Sequence, residues 1–165
     1  MSESQGAAQV NRDLVDTFYS SFQRLDADAM NACYAPDIRF RDPVFQDLEG
    51  DRARGMWKML ATGSRGIDLT YEIGEVGDTE GRATWVAKYN FTATGRSVEN
   101  HISSHFWFRD GLIARQEDTF ALWRWAGMAL GPKGRLAGWL PPVQAQIRAQ
   151  ARGRLDKFLA SQASS

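Results

Sequence analysis

Four consecutive segments of the sequence alternate apolar and polar residues with a period of two. They cover residues 67–73, 83–91, 98–108 and 112–122, and the turn-forming pairs Gly77-Asp78, Thr94-Gly95 and Asp110-Gly111 separate them. Alternation of this kind is typical of strands with one buried face, and these pairs are typical of hairpin turns. The four segments therefore predict consecutive strands of an antiparallel sheet.

Helical periodicity precedes these strands. Apolar residues recur at positions 10, 14, 18, 22 and 25 and predict a first helix that ends near Asp26. A short second helix is expected over 27–34, before Pro36, and a third over 52–62, before Gly63. Helices followed by a run of strands predict an α+β fold, in which the helices lie against one face of a curved antiparallel sheet.

The C-terminal part of the chain predicts additional helices. Residues 125–130 continue as a helix, residues 131–142 hold three glycines and three prolines and predict a bent connection, and residues 143–159 predict a last helix. We expect a domain over 8–124, a helical extension over 125–162 and disorder over 1–7. The extension is basic, but we expect its tail helix to pack on protein and not on a membrane.

Composition narrows the classes of partner and compartment. The 20 basic and 20 acidic residues cancel, so no global positive charge favours nucleic acid. Cys33 is the only cysteine, which excludes an intrachain disulfide and favours a reducing compartment. The first residues do not read as a signal peptide, and no apolar run has transmembrane length. These features predict a cytoplasmic protein.

The strand predicted around residues 38–42 places a carboxylate where an apolar side chain is expected. In an extended conformation Asp42 shares its face with Ile38 and Phe40. A carboxylate in apolar surroundings is costly unless it is paired or protonated, so Asp42 is a candidate for acid–base chemistry. Because Asp42 precedes a proline, the alternative is that it accepts backbone N–H groups in a turn.

Two later strands also carry polar residues on their apolar faces. Asn100 and Ser104 share one such face, and Gln116 and Asp118 share the other. If the sheet curves so that they converge with Asp42, they form an aromatic-lined pocket for a small molecule. Two carboxylates in that pocket are expected to differ in pKa, one ionised as base and the other protonated as acid. A purely structural partner for Asp118, such as an arginine or a backbone N–H, is the alternative.

The sequence predicts neither a metal nor a cofactor. His101 and His105 lie four residues apart on one strand face, which separates them by roughly 13 Å, too far to bind one ion. No third histidine supplements them. Gly-rich phosphate loops and nucleophile elbows are also missing from the sequence.

The segment Tyr34-Ala35-Pro36-Asp37-Ile38-Arg39-Phe40-Arg41-Asp42-Pro43-Val44 resembles the nuclear transport factor 2-like superfamily. That superfamily includes ketosteroid isomerase, SnoaL-like polyketide cyclases and limonene-epoxide hydrolase. The order of helices and strands agrees with it over residues 8–124. The resemblance implies a cone-shaped barrel with an apolar pocket for a small apolar or carbonyl-bearing metabolite, and we expect a homodimer through the outer face of the sheet.

The resemblance also implies roles for individual residues. Asp42 matches the general base of the isomerase, and Asp118 matches a catalytic aspartate of the epoxide hydrolase. The two oxyanion donors of the isomerase fall at Phe18 and Ser104 and are not kept. The Arg-x-Asp pair of the hydrolase is absent from the inward positions of residues 87–91.

We therefore expect a small-molecule-binding protein that acts as an isomerase, cyclase or hydrolase through Asp42 and Asp118. Asp42 would be the base, and Asp118, or Ser104 with Gln116, would hold the developing oxyanion. The alternative is a non-catalytic ligand-binding or protein-interaction module of the same fold. The predicted ligand-contacting residues are Phe18, Tyr34, Phe40, Trp57, Tyr89, Asn100, Ser104, Phe106, Gln116 and Phe120.

Overall fold

The computed structural model describes residues 3–63 and 66–164 of the chain. Helices and strands follow one another in an α+β order. The elements are α1 (Glu3–Gln23), α2 (Ala27–Asn31), β1 (Tyr34–Arg41), β2 (Leu48–Glu49), α3 (Asp51–Gly63), β3 (Asp68–Val76), β4 (Glu80–Asn90), β5 (Ser97–Arg109), β6 (Leu112–Thr119), α4 (Leu122–Leu130), α5 (Pro132–Ala137) and α6 (Pro141–Ala163).

The strands form one curved six-stranded sheet in the order β2-β1-β6-β5-β4-β3. The predicted fold class is confirmed, with one refinement: β1 and β6 run parallel, while the other neighbouring strands are antiparallel. Parallel neighbours need a long crossover, and here the chain makes it through α3 and β3–β5. The last strand therefore returns beside β1, which is the feature that assembles the site described below.

The inner face of the sheet is filled by large aromatic side chains from α1, α3 and the strands. Phe18 is fully buried and contacts Tyr34, Trp57 and Phe106, with ring centroids 5.3, 5.5 and 6.4 Å away. Buried aromatic rings are large contributors to hydrophobic stabilisation, and here they pack with buried aliphatic side chains in one core. Many of the aromatic residues of the sequence therefore form the core.

Two boundaries near the N-terminus differ from the predictions. We expected residues 3–7 to be disordered, but helix α1 begins at Glu3 and includes them. The helix can extend this far because elongation costs little once a helix is nucleated and this segment contains no proline. Residues 1 and 2 lie outside the described residues. Helix α2 ends at Asn31 and not at residue 34, because Tyr34 is already extended and pairs with Ile113 of β6.

The C-terminal extension forms three helices, one more than predicted. Helix α5 occupies the segment expected to be a bent connection, because Pro132 and Pro141 both stand in the first turn of a helix, where proline is well tolerated. The last helix packs on the domain, as expected. Leu155 of α6 is fully buried, and a Cβ on Gly55 of α3 would lie only 2.4 Å from Leu159 Cδ2.

Candidate active site

The strand register brings Asp42, Asp118 and Ser104 side by side. The parallel β1–β6 ladder ends with Phe40 beside Gln116 and Arg41 beside Glu117, so Asp42 and Asp118 are the next residues of the two chains, and the charge of Asp42 is close enough to raise the pKa of Asp118. Ser104 of β5 is the direct partner of Asp118 across the antiparallel ladder. We call these three residues the acid row.

Asp118 is the acceptor at the centre of a buried hydrogen-bond network. It is 4% exposed, and its Oδ1 accepts from Ser104 Oγ at 2.6 Å and from Gln116 Nε2 at 3.1 Å. Behind these donors, Tyr19 donates to Ser104 Oγ at 2.6 Å and Tyr34 donates to Gln116 Oε1 at 2.6 Å. Two independent chains of side chains therefore converge on one oxygen.

Two tryptophans fix the direction of both chains. Trp85 Nε1 donates to Ser104 Oγ at 3.0 Å, and Trp57 Nε1 donates to Tyr34 Oη at 2.8 Å. An indole N–H cannot accept, so the hydroxyls of Ser104 and Tyr34 must each give their own proton onward. Every donor thus points towards Asp118 Oδ1, which fixes the position of the carboxyl. Within the part of the chain that the structure describes, Asp118 Oδ2 makes no hydrogen bond.

Asp42 is held by the backbone of the turn that follows it. Its Oδ1 accepts from Val44 N at 2.7 Å and from Phe45 N at 2.6 Å, and its own N–H donates to Phe45 O at 2.8 Å. The turn geometry considered as an alternative for Asp42 is therefore present. It leaves Oδ2 without a hydrogen bond among the described residues, so the turn and a chemical role are compatible.

Both carboxyls have a pKa near neutrality. Burial raises the pKa of Asp118 from 3.8 to about 7, against the opposing hydrogen bonds from Ser104 and Gln116, and the negative charge of Asp42 raises it further. Burial likewise raises the pKa of Asp42 from 3.8 to about 6, opposed by the N–H groups of Phe45 and Val44. Because the two groups interact, the pair titrates together and holds about one proton between pH 6 and 7.

Substituting Asp42 with asparagine is expected to lower the pKa of Asp118, because the substitution removes a negative charge from beside it. Asparagine can still accept the two turn hydrogen bonds, so the backbone should be unchanged. Carboxyl ¹³C NMR titration of both proteins measures the shift. An Asp118 that titrates identically in the two proteins would show that the carboxyls do not interact.

The comparison with protein-family models identifies the family. A family model described as a SnoaL-like domain matches residues 15–116, well over half of the chain. The chain belongs to the SnoaL-like domain family. No curated protein matches the sequence significantly.

Solved structures share the fold of this SnoaL-like protein. A candidate polyketide cyclase from a Silicibacter species is 21% identical, with a TM-score of 0.65, and the match covers 73% of this chain and 96% of that one. A ketosteroid isomerase-like protein from Erwinia carotovora atroseptica is 20% identical, with a TM-score of 0.60 and coverages of 68% and 95%. An LEH-like epoxide hydrolase from M. tuberculosis is 20% identical, with a TM-score of 0.57 and coverages of 85% and 99%. At these identities the likeness establishes the fold alone.

The predicted ligand-contacting residues of this SnoaL-like protein divide into two groups by burial. The rings of Phe18, Tyr34, Phe40, Trp57 and Phe106 contact one another in the core. Tyr89 and Phe120 are half-buried, and Asn100 is 9% exposed, more than the core residues. Tyr89 is close enough to Asp42 for the carboxylate charge to raise the pKa of its phenol, although burial is the larger cause. The half-buried group is therefore the more exposed part of the predicted ligand-contacting set.

Two sequence-based assignments change with the geometry. Ser104 donates its single proton to Asp118 and has none left for an oxyanion, and Gln116 accepts from Tyr34 and uses one of its two N–H donors on Asp118, so both residues position Asp118. Tyr19 and Trp85 were not predicted as site residues. Their inward-facing positions were readable from the helical and strand periodicity, but their hydrogen-bond partners were not.

The two histidines lie on the opposite face of β5 from Ser104. His105 Nε2 is 3.0 Å from Glu80 Oε2 and stacks on Trp107, and His101 Nε2 is 3.7 Å from Glu99 Oε2. Across residues 3–63 and 66–164, no group of three potential metal ligands is found. The same described residues contain no helix that is long and apolar enough to cross a membrane.

Proposed function

We propose that the protein is an acid–base enzyme that moves a proton on a small, apolar, carbonyl-bearing compound, as an isomerase or cyclase does. The observation that supports this proposal best is the pair of adjacent carboxyls, Asp42 and Asp118, whose pKa values of about 6 and 7 suit proton transfer at neutral pH. Each also keeps one oxygen without a protein partner, available to a ligand.

The two carboxyls would have different roles. Asp42, with the lower pKa, is the base and takes a proton from the carbon next to the ligand's carbonyl group. Asp118, protonated on Oδ2, donates a hydrogen bond to the oxygen on which negative charge develops. Ser104 and Gln116 act as positioning residues, because they hold Asp118 Oδ1 and direct its second oxygen away from the network.

The ligand would enter from the half-buried side, where Tyr89, Asn100 and Phe120 offer mainly apolar surface. The core aromatic rings close the opposite side, since Phe18 and Phe106 are fully buried. An anionic ligand would be repelled by the two carboxyls, which hold about one negative charge between them, and burying a charged ligand of either sign among apolar side chains is costly. The proposal therefore restricts the substrate to neutral compounds with an enolisable carbonyl group.

Deuterium exchange tests the proposal without knowledge of the natural substrate. The protein is incubated in D₂O at pH 6.5 with a panel of cyclic ketones and β-keto esters, and ¹H NMR follows the loss of the α-proton signals. We expect at least one compound to exchange faster than with the Asp42→Asn/Asp118→Asn double variant. If none does, and substituted phenols, which mimic an enolate, also fail to bind, the result would favour the non-catalytic interaction module.

A further inference from the structure

Helices α4 and α5 expose large apolar side chains. Trp123 is 50% exposed, Leu136 78% and Trp139 64%, whereas most other large apolar residues described are buried or half-buried. We call these three residues the α4–α5 corner. Exposed tryptophans are costly in water unless they serve a contact.

The two helices place these side chains at the same end of the extension. A Cβ on Gly138 would lie 2.8 Å from Ala126 Cβ, so the end of α5 packs beside the middle of α4. Trp123 is one turn before Ala126 on the same side of α4. Trp139 follows Gly138 directly, and its Nε1 donates to Leu136 O at 3.1 Å. The three side chains therefore lie near the same junction between α4 and the end of α5.

The chain segment that carries the corner is cationic. Residues 119–155 contain six basic residues and no acidic one, in a chain whose formal net charge is zero. Arg124 Cζ lies 5.2 Å above the ring of Trp123, and Lys133 and Arg135 belong to α5 itself. Within the described part of the chain, none of these three cations forms an ion pair.

We propose that the α4–α5 corner docks on an anionic phospholipid bilayer. Indole rings prefer the membrane–water interface, where the ring is dehydrated and its N–H stays near polar groups, and neighbouring lysine and arginine side chains are attracted to anionic headgroups. The corner would insert peripherally, with no segment crossing the bilayer.

Charge favours a bilayer over a second copy of the chain. A twofold dimer through this corner would bring Arg124, Lys133 and Arg135 close to the same residues of the other copy, with no acidic residue from 119–155 to pair with them. A nucleic acid would satisfy the cations but leave Leu136 exposed. An anionic bilayer satisfies both the apolar and the cationic parts of the surface.

Co-sedimentation of the full chain with vesicles tests the proposal. The vesicles contain phosphatidylcholine alone or with about 30% phosphatidylglycerol, at low and at high salt. We expect binding to the anionic vesicles that weakens at high salt. Trp123→Ser/Trp139→Ser should reduce it by about tenfold or more, and Lys133→Glu/Arg135→Glu should reduce it as well. The matched control Val10→Ser/Leu60→Ser removes exposed apolar residues elsewhere and should leave binding unchanged.

Three results would overturn the proposal. The first is no co-sedimentation with anionic vesicles at low salt while circular dichroism shows a folded protein. The second is binding that the two tryptophan substitutions leave intact. The third is another occupant of the surface: a dimer that Trp139→Ser dissociates in sedimentation equilibrium, or tighter binding to a duplex oligonucleotide than to the vesicles.

Discussion

Substituting Asp118 with asparagine is expected to stabilise the protein by about 2–3 kcal/mol more at pH 8 than at pH 5. In the unfolded chain an aspartate ionises near pH 3.8, whereas burial raises the folded pKa of Asp118 to about 7. The folded state therefore binds more protons than the unfolded state between these values, and its stability falls as the pH rises through them. Above pH 7 the raised pKa of Asp118 lowers the free energy of unfolding by about 4 kcal/mol, and at pH 5 it lowers it by less than half of that amount.

Urea denaturation of the wild type and the Asp118→Asn variant at both pH values measures this effect. Asparagine can accept the same hydrogen bonds from Ser104 and Gln116, and any cost of burying its amide is independent of pH. Asp37→Asn is the matched control, because hydrogen bonding from Arg109 lowers the pKa of Asp37 below 3.8 and its carboxyl is therefore ionised in the folded and the unfolded chain at both pH values, so that its effect should be equal at pH 5 and pH 8. An Asp118→Asn effect that is equal at the two pH values would mean that Asp118 titrates normally.

Substituting Asp42 with asparagine is expected to slow deuterium exchange of the best panel compound by roughly 10²–10⁴-fold, the usual contribution of a positioned general base. The asparagine Oδ1 keeps the hydrogen bonds from Val44 and Phe45, so the turn and the binding of the ligand should survive. The loss should therefore fall on the rate at saturating ligand and not on the concentration needed for saturation. Exchange rates by ¹H NMR and binding of a substituted phenol separate the two quantities.

Asp47→Asn is the matched control for this experiment, because Asp47 lies in the same loop with an exposed side chain. It should exchange the panel compound at the wild-type rate. Full activity of Asp42→Asn would assign the base to another group, and equal losses in both variants would point to a general effect of loop charge.

Local sequence patterns predicted the strands and the faces of their side chains. Alternation placed Asp118, Gln116 and Ser104 inward, and all three are buried. The Asp110-Gly111 pair forms the expected turn, with φ of 54° and 75° at the two residues. These features depend on neighbouring residues in the chain, which is why the sequence alone was sufficient.

Features that depend on distant residues could not be predicted in the same way. The adjacency of Asp42 and Asp118 follows from the parallel register of β1 and β6, which no local pattern encodes. A register irregularity between Trp107 and Phe108 turns Ile113 inward, although alternation predicted Leu112 and Ala114 on that face. The donors Trp57 and Trp85 were visible as apolar positions, but their partners lie on other elements.

Trp57 and Trp85, the two tryptophans that donate into this network, affect how the proton of Asp118 exchanges with deuterium from solvent. Neither tryptophan can receive a proton from Ser104 or Tyr34, because an indole nitrogen has no free lone pair, and Tyr19, the other donor to Ser104, is fully buried. A deuteron captured by this carboxyl can therefore escape only by way of Oδ2. We therefore expect a ligand that covers Oδ2 to slow the exchange of the Asp118 proton with solvent.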